Sequence, residues 1–394
     1  MKEPRLRAAP SFVQAHTLDG RPYVAKDTEP YIQFWLSERE RLLLAMFSGR
    51  RGATARQAKQ GYFSLHPGTA DAAEQRRVAK ALRDMQAAGV LIDSAADTSR
   101  YNARIVADYV AHRPFPREIA QLVIDRTPLR RDSRVLDLAG GPGDLALALA
   151  QVSHQVSLME LSRGFLAAAG RRARAAGLQI TPVHDSCNRL VFHEHEYDVM
   201  TVSQALHWLD DVMVCRGVCR LLREGGSFFV VHGAMEVAGS HPLAYLLGHD
   251  SILGRKAPRP FVDEVRPLLR RLALLFEALD APEVERVDPT QPAPRGAGQG
   301  IAPAGVSLFS QRRPLGPGYA RGFLTPQHIA ATGLSPEAFW HDLDARCASA
   351  TRAQFMGTQH WAVLHFQRGA DAAALPPLHS VPTVEIGFDG PAEP

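Results

Sequence analysis

Between residues 101 and 233, short apolar runs alternate with longer segments that are apolar on one side and rich in Ala and Arg. The short runs have the length of buried strands, and the longer segments repeat with the period of a helix. Strands and helices that alternate in this way form a parallel sheet with crossover helices. The predicted strands of this α/β core are 134–138, 155–159, 179–184, 198–202 and 227–231.

The N-terminal residues predict a small α+β unit. Asp19-Gly20 interrupts an apolar stretch and is typical of a type I′ hairpin turn. Ser37 and Glu40 form a capping box, which predicts the start of a helix. The predicted elements are a hairpin over 13–26, a third strand over 31–36, a helix that stops at Gly49, a helix through Val78, Leu82 and Met85 that ends at Gly89, and a strand over 90–92.

The C-terminal part of the chain is less regular. Apolar residues from Val265 to Leu275 repeat with a helical period, and Ser335-Pro336-Glu337 is typical of a helix start. The Pro- and Gly-rich stretch from Pro289 to Gly318 predicts a long loop, and residues 360–367 predict a final strand. The chain is thus expected to have an N-terminal domain at 1–100, the α/β core at 101–240, a mainly helical insertion with a final sheet strand at 241–368, and a Pro-rich tail at 369–394.

Composition narrows the functional classes. With 45% hydrophobic and 22% charged residues, the 394-residue chain can bury a sizeable core. The formal net charge of +4 comes without a dense run of Lys or Arg, so we expect no nucleic-acid partner. No apolar run reaches the ~18 residues that a membrane helix requires, the N-terminus lacks the apolar segment of a signal peptide, and the four cysteines form no CxxC pair. These features predict a cytoplasmic protein with no membrane partner.

The most informative stretch is VLDLAGGPG, residues 135–143. An apolar strand ends in the acid Asp137 and passes through small residues into a helix, and glycines at such a turn let the backbone approach a ligand closely. The next strand ends at Glu160, whose carboxylate can accept hydrogen bonds from both hydroxyls of a ribose. The third strand ends at Asp185, whose carboxylate can accept a bond from an adenine amino group. Acids at three successive strand ends predict a nucleotide-like cofactor in the crevice beside them.

This stretch resembles motif I of the class I S-adenosylmethionine (SAM)-dependent methyltransferases, and the order Asp137, Glu160, Asp185 is similar to that family's series of cofactor-binding acids. Residues 221–226 resemble the LxPGG turn that precedes the family's fifth strand. The likeness covers residues 101–233 and departs from the pattern at Ala139, where the family has glycine, and at Glu224, where it has proline. Alanine is small enough to keep the turn. The resemblance implies a Rossmann-like sheet and SAM as the cofactor.

Two flanking segments are similar to methyltransferase type 11 proteins of the trans-aconitate and cantharidin methyltransferase kind: residues 109–116 resemble their YxxxRPxYP segment, and residues 203–208 their HW segment. By that likeness Tyr109 closes over the cofactor and Arg113 pairs with its carboxylate, which suits the planar fork of a guanidinium. The alternative is that Arg113 is a surface residue before a proline. The cofactor-binding residues that the resemblance implies are Tyr109, Arg113, Asp137, Ala139, Gly141, Gly143, Glu160, Leu161, Asp185, Ser186 and Ser203.

Methyl transfer from a sulfonium is an in-line displacement that requires alignment and exclusion of water more than proton transfer to a leaving group. His207 is a candidate general base, because a hydroxyl or amine nucleophile must lose a proton. The alternative is that His207 only lines the pocket beside Trp208, and a carboxylate nucleophile would need no base. The His and Glu residues of 193–196 suggest a metal site, but a solvated strand edge explains them as well, so we expect no metal.

The order of elements in the N-terminal domain resembles two kinds of domain. One is the PqqD-like domain that binds leader peptides of ribosomally made, modified peptides, and the other is the winged-helix dimerisation domain of small-molecule O-methyltransferases. The first implies a peptide natural-product precursor as substrate; the second implies a small-molecule substrate and a homodimer. A third reading is a SAM-responsive DNA-binding regulator, against which the acids Asp71, Glu74 and Asp84 count, because they interrupt the basic residues of 72–88.

Overall fold

The computed structural model describes residues 5–8, 12–16, 22–26, 33–47, 53–66, 68, 71–88, 90–93, 103–187, 190, 196–244, 260–280, 300–324, 329, 334–369, 375 and 377–387. The chain divides into two compact units, residues 1–98 and residues 99–394. Each unit has a hydrophobic core of its own.

The N-terminal unit contains two small sheets and a group of helices. The predicted hairpin and third strand form one antiparallel sheet in the order β2–β3–β4. A second sheet, in the order β5–β1–β6, contains the predicted strand at 90–92 together with two strands that the sequence did not predict. The strands are β1 (Arg5–Ala8), β2 (Phe12–His16), β3 (Pro22–Lys26), β4 (Gln33–Trp35), β5 (Ala53–Thr54) and β6 (Leu91–Asp93). The predicted turn and stop residues Asp19, Gly20, Gly49 and Gly89 lie outside the described residues.

Helices α1 (Glu38–Ala45), α2 (Ala55–Leu65) and α3 (Ala72–Ala87) pack around the core of this unit. The predicted capping box is confirmed, because the Glu40 amide donates to Ser37 Oγ and the Ser37 amide donates to Glu40 Oε2. An equivalent box of Thr54 and Gln57 starts α2, which the sequence did not predict. The predicted core face of α3 is also confirmed, since Val78, Leu82 and Met85 are all buried.

A charged network joins the three helices at Glu74. Its carboxylate accepts two hydrogen bonds from Arg39 of α1, at 2.8 and 3.2 Å, one from the Tyr62 hydroxyl of α2, at 3.0 Å, and one from Arg77 of α3, at 3.1 Å. These hydrogen bonds lower the pKa of Glu74 to about 2, and the bond from Arg39 has the largest effect. Burial opposes the shift. The N-terminal unit is therefore held together partly by an ionised carboxylate.

We expect Glu74→Gln to destabilise the N-terminal unit by ~1–3 kcal/mol at pH 7, because Arg39, Tyr62 and Arg77 lose a charged acceptor that is itself nearly buried. The pKa of the folded state is depressed, so this stabilisation is complete above the unfolded-state pKa of ~4.3 and is lost as the pH falls through about 2. Urea unfolding between pH 7 and pH 3, followed by circular dichroism, measures the effect. Glu38→Gln, at an exposed position of α1, is the control. Equal pH slopes for wild type and Glu74→Gln would contradict the prediction.

The C-terminal unit has a Rossmann-like α/β fold built on one eight-stranded sheet. Its strand order is β14–β12–β13–β11–β10–β7–β8–β9. The neighbouring strands β9, β8, β7, β10 and β11 run parallel to one another. β13 runs antiparallel between β11 and β12, and β14 is parallel to β12. The strands are β7 (Arg134–Leu138), β8 (Gln155–Met159), β9 (Thr181–Val183), β10 (Tyr197–Ser203), β11 (Leu222–Val237), β12 (Ile301–Pro314), β13 (Met356–Arg368) and β14 (Thr383–Glu385). All five strands predicted for the core are confirmed.

Helices cover the sheet on both faces, with α8 and α9 packed in one core cluster and α5 and α6 in the other. The predicted long helix through Val265 is confirmed, and so is the helix start at Ser335, whose hydroxyl accepts from the Ala338 amide. The helices are α4 (Ala103–His112), α5 (Arg117–Asp125), α6 (Asp144–Leu149), α7 (Arg163–Ala175), α8 (Asp211–Leu221), α9 (Phe261–Asp280), α10 (Pro317–Phe323) and α11 (Pro336–Ala348). In the part of the chain that the structure describes, no helix combines the length and apolar character needed to cross a membrane.

The predicted loop over 289–318 is wrong for residues 301–314, which form β12. The prolines and the glycine that suggested a loop occupy positions where a strand tolerates them. Pro303 and Gly305 lie at a shift in the register with β13, and Pro314 is the last residue of the strand. The segment 241–368 therefore adds two long strands to the sheet as well as helices.

Candidate active site

The carboxyl ends of β7, β8 and β9 meet at one edge of the sheet because these strands are parallel neighbours. Asp137 belongs to β7, Glu160 follows β8 directly, and Asp185 comes shortly after β9. The Glu160 amide donates to the Val183 carbonyl at 3.0 Å, which ties the ends of β8 and β9 together. The acids predicted from the sequence thus lie along the same edge, on neighbouring strands.

Glu160 supports the glycine turn. Its carboxylate accepts from the Gly141 amide at 3.0 Å and from the Ser162 amide at 2.7 Å, and the residue is only 8% exposed. Each carboxylate oxygen carries two lone pairs and can accept more than one hydrogen bond. A side chain built at Gly141 would meet no atom within 4 Å, which means that the backbone here faces open space. The turn therefore combines backbone that faces open space with an adjacent, nearly buried carboxylate.

The turn depends on left-handed backbone. Gly141 and Gly143 have φ of 55° and 83°, values at which glycine lacks the steric penalty of other residues. Ala139 has a φ of 48° and keeps the turn without a glycine, at a cost of ~1–2 kcal/mol. The prediction that alanine preserves this turn is confirmed.

Asp137 is completely buried below the turn. It accepts a hydrogen bond of 2.6 Å from the Thr201 hydroxyl of β10, and burial raises its pKa to about 7. Its second oxygen, Oδ2, has no hydrogen-bond partner among the described residues. Oδ2 occupies the space that a side chain at Gly140 would need. The structure thus places Asp137 where it supports the turn from beneath and links β7 to β10.

The segment after β9 offers a second wall for a ligand. Asp185 Oδ1 accepts from the Ser186 amide at 2.8 Å, and the His184 ring contacts the Leu161 carbonyl at 2.8 Å. Ser186 is buried and the side chains of Leu161 and Asp185 are partly exposed. This arrangement brings together Leu161, Asp185 and Ser186, which the resemblance predicts to bind the cofactor.

Tyr109 lies on α4, and its ring packs edge-on against Phe165 of α7, with centroids 5.1 Å apart. Burial raises the pKa of its phenol; the Asp144 and Glu160 carboxylates add to the shift and Arg113 opposes it. The Asp144 carboxylate belongs to the start of α6 and Glu160 supports the glycine turn, so Tyr109 is electrostatically coupled to both.

Arg113 follows α4 directly. Its guanidinium carbon lies 4.5 Å from the ring centroid of Tyr109 and 5.3 Å from that of Tyr319, and Nη2 donates to Gln204 Oε1 at 3.4 Å. A guanidinium has five donors arranged in a planar fork, a geometry that suits a carboxylate. Arg113 thus lies beside the carboxyl end of β10, where Ser203 is the last strand residue.

Sequence reasoning missed Gln204, Arg313, Tyr319 and Gln359 as residues of this region. Gln204 has a φ of 51°, an unusual value for a non-glycine residue that often marks a functional site. The other three residues belong to β12, α10 and β13, far from motif I in sequence. No local pattern in the sequence indicates that they approach Arg113.

His207, the candidate base, lies in a short 3-10 helix, Leu206–Trp208, directly after β10. It is exposed, and its ring centroid lies 4.8 Å from that of Trp208, which is itself 43% exposed. The contact with Trp208 agrees with the sequence analysis. Because both side chains are exposed, the described residues do not enclose the imidazole in a pocket.

Two further histidines, His232 of β11 and His360 of β13, lie near Phe261. The Phe261 ring stacks against both His232 and His360, with centroids 5.9 and 5.5 Å apart. His232 Nε2 lies 3.8 Å from Glu264 Oε2, and His360 Nε2 lies 3.2 Å from Glu236 Oε2. The 3.8 Å separation is too long for a hydrogen bond, so Glu264 is a charged neighbour of His232 and does not orient its ring. Because histidine commonly serves as a general base, His232 is a further candidate that the sequence analysis did not identify.

Among the described residues, no group of three or more His, Cys, Asp or Glu side chains is placed to hold a metal ion. His193 and His195, which suggested a metal in the sequence, lie outside the described residues.

Comparison with known proteins places these observations in a family context. Residues 135–226 match a family model described as a methyltransferase domain. The ubiquinone/menaquinone biosynthesis C-methyltransferase UbiE of Serratia proteamaculans is 31% identical over 117 residues, 28% of this chain and 47% of that protein. The UbiE protein of Yersinia enterocolitica is 28% identical over 162 residues, 40% of this chain and 62% of that protein. The chain therefore spans about half of the length of these curated relatives.

Two solved structures are similar at low identity. YcgJ of Bacillus subtilis aligns with a TM-score of 0.41 at 18% identity, over 65% of this chain and 100% of that chain. A SAM-dependent methyltransferase of Thiobacillus denitrificans in complex with S-adenosyl-L-homocysteine aligns with a TM-score of 0.39 at 16% identity, over 69% of this chain and 100% of that chain. The family match over residues 135–226 confirms, for this domain, the prediction of a methyltransferase enzyme with SAM as cofactor.

Proposed function

We propose that the chain as a whole is a SAM-dependent methyltransferase that modifies an oxygen, as carboxylate or hydroxyl, or a nitrogen of a peptide natural-product precursor recruited by the N-terminal unit. The observation that carries the methyltransferase part is the position of Glu160. Its carboxylate fixes the Gly141 and Ser162 amides and lies beside the open space at Gly141. When bound, SAM supplies the electrophilic methyl group on its sulfonium.

Residues of this chain bind and orient the cofactor. Glu160 orients the ribose, and Leu161, Asp185 and Ser186 bind the adenine end. Arg113 pairs with the carboxylate of the cofactor's amino-acid end, and Tyr109 excludes water from the reacting atoms. Asp137, Ala139 and Gly143 maintain the geometry of the turn, and Ser203, the last residue of β10, would contact the cofactor. This division of labour needs no proton transfer to the leaving group.

A hydroxyl or amine acceptor must lose its proton, and two histidines are candidates for that step. His207 follows β10 directly but is exposed. His232 is partly buried, and its Nε2 lies 3.8 Å from Glu264 Oε2. Turnover measurements on His207→Ala and His232→Ala, at saturating SAM, distinguish the candidates. The variant that lacks the base should turn over roughly 10²–10⁴-fold more slowly than the wild type.

We expect Glu160→Ala to weaken SAM binding by ~1–3 kcal/mol, because the Gly141 and Ser162 amides and the ribose hydroxyls lose their acceptor. Isothermal titration calorimetry with SAM measures the loss. Glu337→Ala, at an exposed position of α11, is the control and should bind SAM as the wild type does. Unchanged affinity in Glu160→Ala would remove the cofactor assignment.

The peptide part of the proposal is supported by the first sheet of the N-terminal unit. Within the described residues β4 is an edge strand of the β2–β3–β4 sheet, and the capped helix α1 follows it directly. An edge strand presents unpaired amides and carbonyls to which an extended peptide can add as another strand. Recruitment there would raise the effective concentration of the substrate and let the active site remain permissive.

Deletion of residues 1–98, the whole N-terminal unit, should raise the apparent KM for a long precursor peptide far more than for its short core fragment. The reason is that a long peptide loses its docking strand, whereas the fragment never used it. Mass spectrometry after incubation with labelled SAM and a panel of peptides first identifies the pair of substrates. Circular dichroism must show that the truncated protein is folded. Equal losses on long and short substrates would contradict the peptide proposal.

A small-molecule substrate is the second candidate. The order α1–β5–α2–α3–β6 also fits a winged-helix dimerisation domain, and the curated relatives are C-methyltransferases of quinone biosynthesis. On this reading the deletion damages a homodimer and affects every substrate alike. A DNA-binding regulator receives less support, because Arg77 and Lys80 of α3 pair with Glu74 and Asp84 of the same helix. A gel-shift assay tests that reading.

A further inference from the structure

Three side chains from the C-terminal segment form a connected group beside Arg113. Arg313 of β12 is only 2% exposed and donates from Nη1 to Gln359 Oε1 of β13 at 3.2 Å. The Gln359 amide donates in turn to the Tyr319 hydroxyl of α10 at 2.7 Å. The guanidinium carbon of Arg313 lies 5.6 Å from the Tyr319 ring centroid. The position of the Tyr319 ring is thus fixed by both a hydrogen bond and a cation–π contact.

The same group holds the end of α4. Arg313 Nη2 donates at 3.1 Å to the carbonyl of His112, the last residue of α4. A guanidinium at a helix C-terminus satisfies a carbonyl that lacks a helical partner and interacts favourably with the helix dipole. Arg113 is the next residue, so this bond fixes the point from which the Arg113 side chain departs.

Close packing of α10 against α4 also limits the movement of α4. A side chain at Gly318 would come within 2.5 Å of the His112 ring, and one at Gly322 would come within 3.0 Å of the Tyr109 Cα. Gly318 and Gly322 lie four residues apart, on the same face of α10. The two helices therefore approach as closely as glycine allows, and α4 cannot shift toward α10.

Arg113 lies in the environment that this group creates. It contacts the Tyr109 ring from its own helix and the Tyr319 ring from α10, while Gln204 accepts its hydrogen bond. A long arginine side chain loses much conformational freedom when it binds an anion, and restricting it beforehand lowers that cost. Contacts on an aromatic face restrict a guanidinium without using its in-plane donors.

We propose that Arg313, Tyr319 and Gln359 are positioning residues that hold Arg113 ready for the carboxylate of the cofactor. The segment beyond the matched region 135–226 would then complete the cofactor site. This inference rests on the proposed function, since it takes Arg113 to be the residue that binds the carboxylate.

Calorimetry with two probes tests the proposal on the full chain. S-adenosylhomocysteine carries the amino-acid end of the cofactor, and 5′-methylthioadenosine keeps the adenosine and the thioether but lacks that end. We expect Arg113→Ala to weaken S-adenosylhomocysteine at least tenfold and 5′-methylthioadenosine less than twofold. Tyr319→Leu should weaken S-adenosylhomocysteine about fivefold or more and leave 5′-methylthioadenosine within twofold.

The double variant Arg113→Ala with Tyr319→Leu should bind S-adenosylhomocysteine no more weakly than Arg113→Ala does, because both changes remove the same interaction. Gln359→Leu, which keeps the Tyr319 ring, provides a second measurement if Tyr319→Leu is unfolded by circular dichroism. If Arg113→Ala does not discriminate between the probes, the assignment of Arg113 in the proposed function fails. If Arg113→Ala discriminates but neither Tyr319→Leu nor Gln359→Leu does, the positioning proposal is overturned.

Discussion

Gly140→Ala should abolish detectable binding of SAM, with a loss of ~100-fold or more in affinity. A Cβ at this position would overlap Asp137 Oδ2 and the Leu158 side chain, and neither can move easily. Asp137 is buried and bonded to Thr201, and Leu158 is a fully buried residue of β8. Overpacking of this kind costs ~1–3 kcal/mol, and a shift of the turn would also displace the Gly141 amide from its hydrogen bond with Glu160. Calorimetry with SAM and thermal unfolding measure the two consequences separately.

The control for this experiment is Gly170→Ala in α7. A Cβ there would meet only Arg174 Nη1, at 3.7 Å, which is an ordinary van der Waals contact. The same substitution should therefore leave SAM binding unchanged and stabilise the helix by ~0.5–1 kcal/mol. If Gly140→Ala bound SAM as well as Gly170→Ala does, the close approach of the turn to Asp137 would have no functional meaning.

The second large effect concerns Asp137→Asn, which should stabilise the protein at alkaline pH by up to ~4 kcal/mol. Burial raises the pKa of Asp137 to about 7, although the hydrogen bond from Thr201 opposes the shift. The folded state therefore favours the protonated acid. The stability that this proton provides is complete below the unfolded-state pKa of ~3.9 and is lost as the pH rises through about 7. Asparagine keeps an oxygen acceptor for Thr201 and never ionises.

Urea unfolding of both proteins between pH 5 and pH 9 measures this effect. The stability of the wild type should fall between pH 5 and about pH 7 and level off above that, whereas that of Asp137→Asn should change less across the same range. Asp132→Asn, at an exposed position just before β7, is the control and should follow the wild-type profile. A variant less stable than wild type at pH 8.5 would show that the carboxylate is stabilised in a way that burial does not explain.

The α/β core was predictable because its signals are local. An apolar run, an acid at its end and a turn of small residues lie within a short stretch of sequence, as in residues 135–143, and the bounds of β7 and β8 follow from it. The capping boxes are local in the same way, although Thr54 and Gln57 showed that a box without a strong apolar pattern behind it is easily overlooked.

What the sequence could not predict depends on partners that are distant along the chain. The prolines and the glycine of β12 predict a loop when the segment is considered alone. It forms a strand because β13 supplies its hydrogen bonds. The approach of Tyr319 and Arg313 to Arg113 follows from the packing of α10 on α4, and no periodicity in either segment reports it. Similarly, the exposure of His207 and the stacking of His232 on Phe261 are results of tertiary structure.

The position of β13 between β11 and β12 has a consequence for how this sheet assembles. β11 ends at Val237, and its neighbour β13 begins only at Met356, after the whole of β12 has been made. Until then, β11 is an open edge and β12 lacks the strand that joins it to the rest of the sheet. Loop closure over so many residues slows folding, and exposed strand edges in the meantime invite aggregation. During synthesis on the ribosome, the C-terminal unit therefore cannot complete its sheet before β13 has emerged, and the edge of β11 stays exposed for that whole interval.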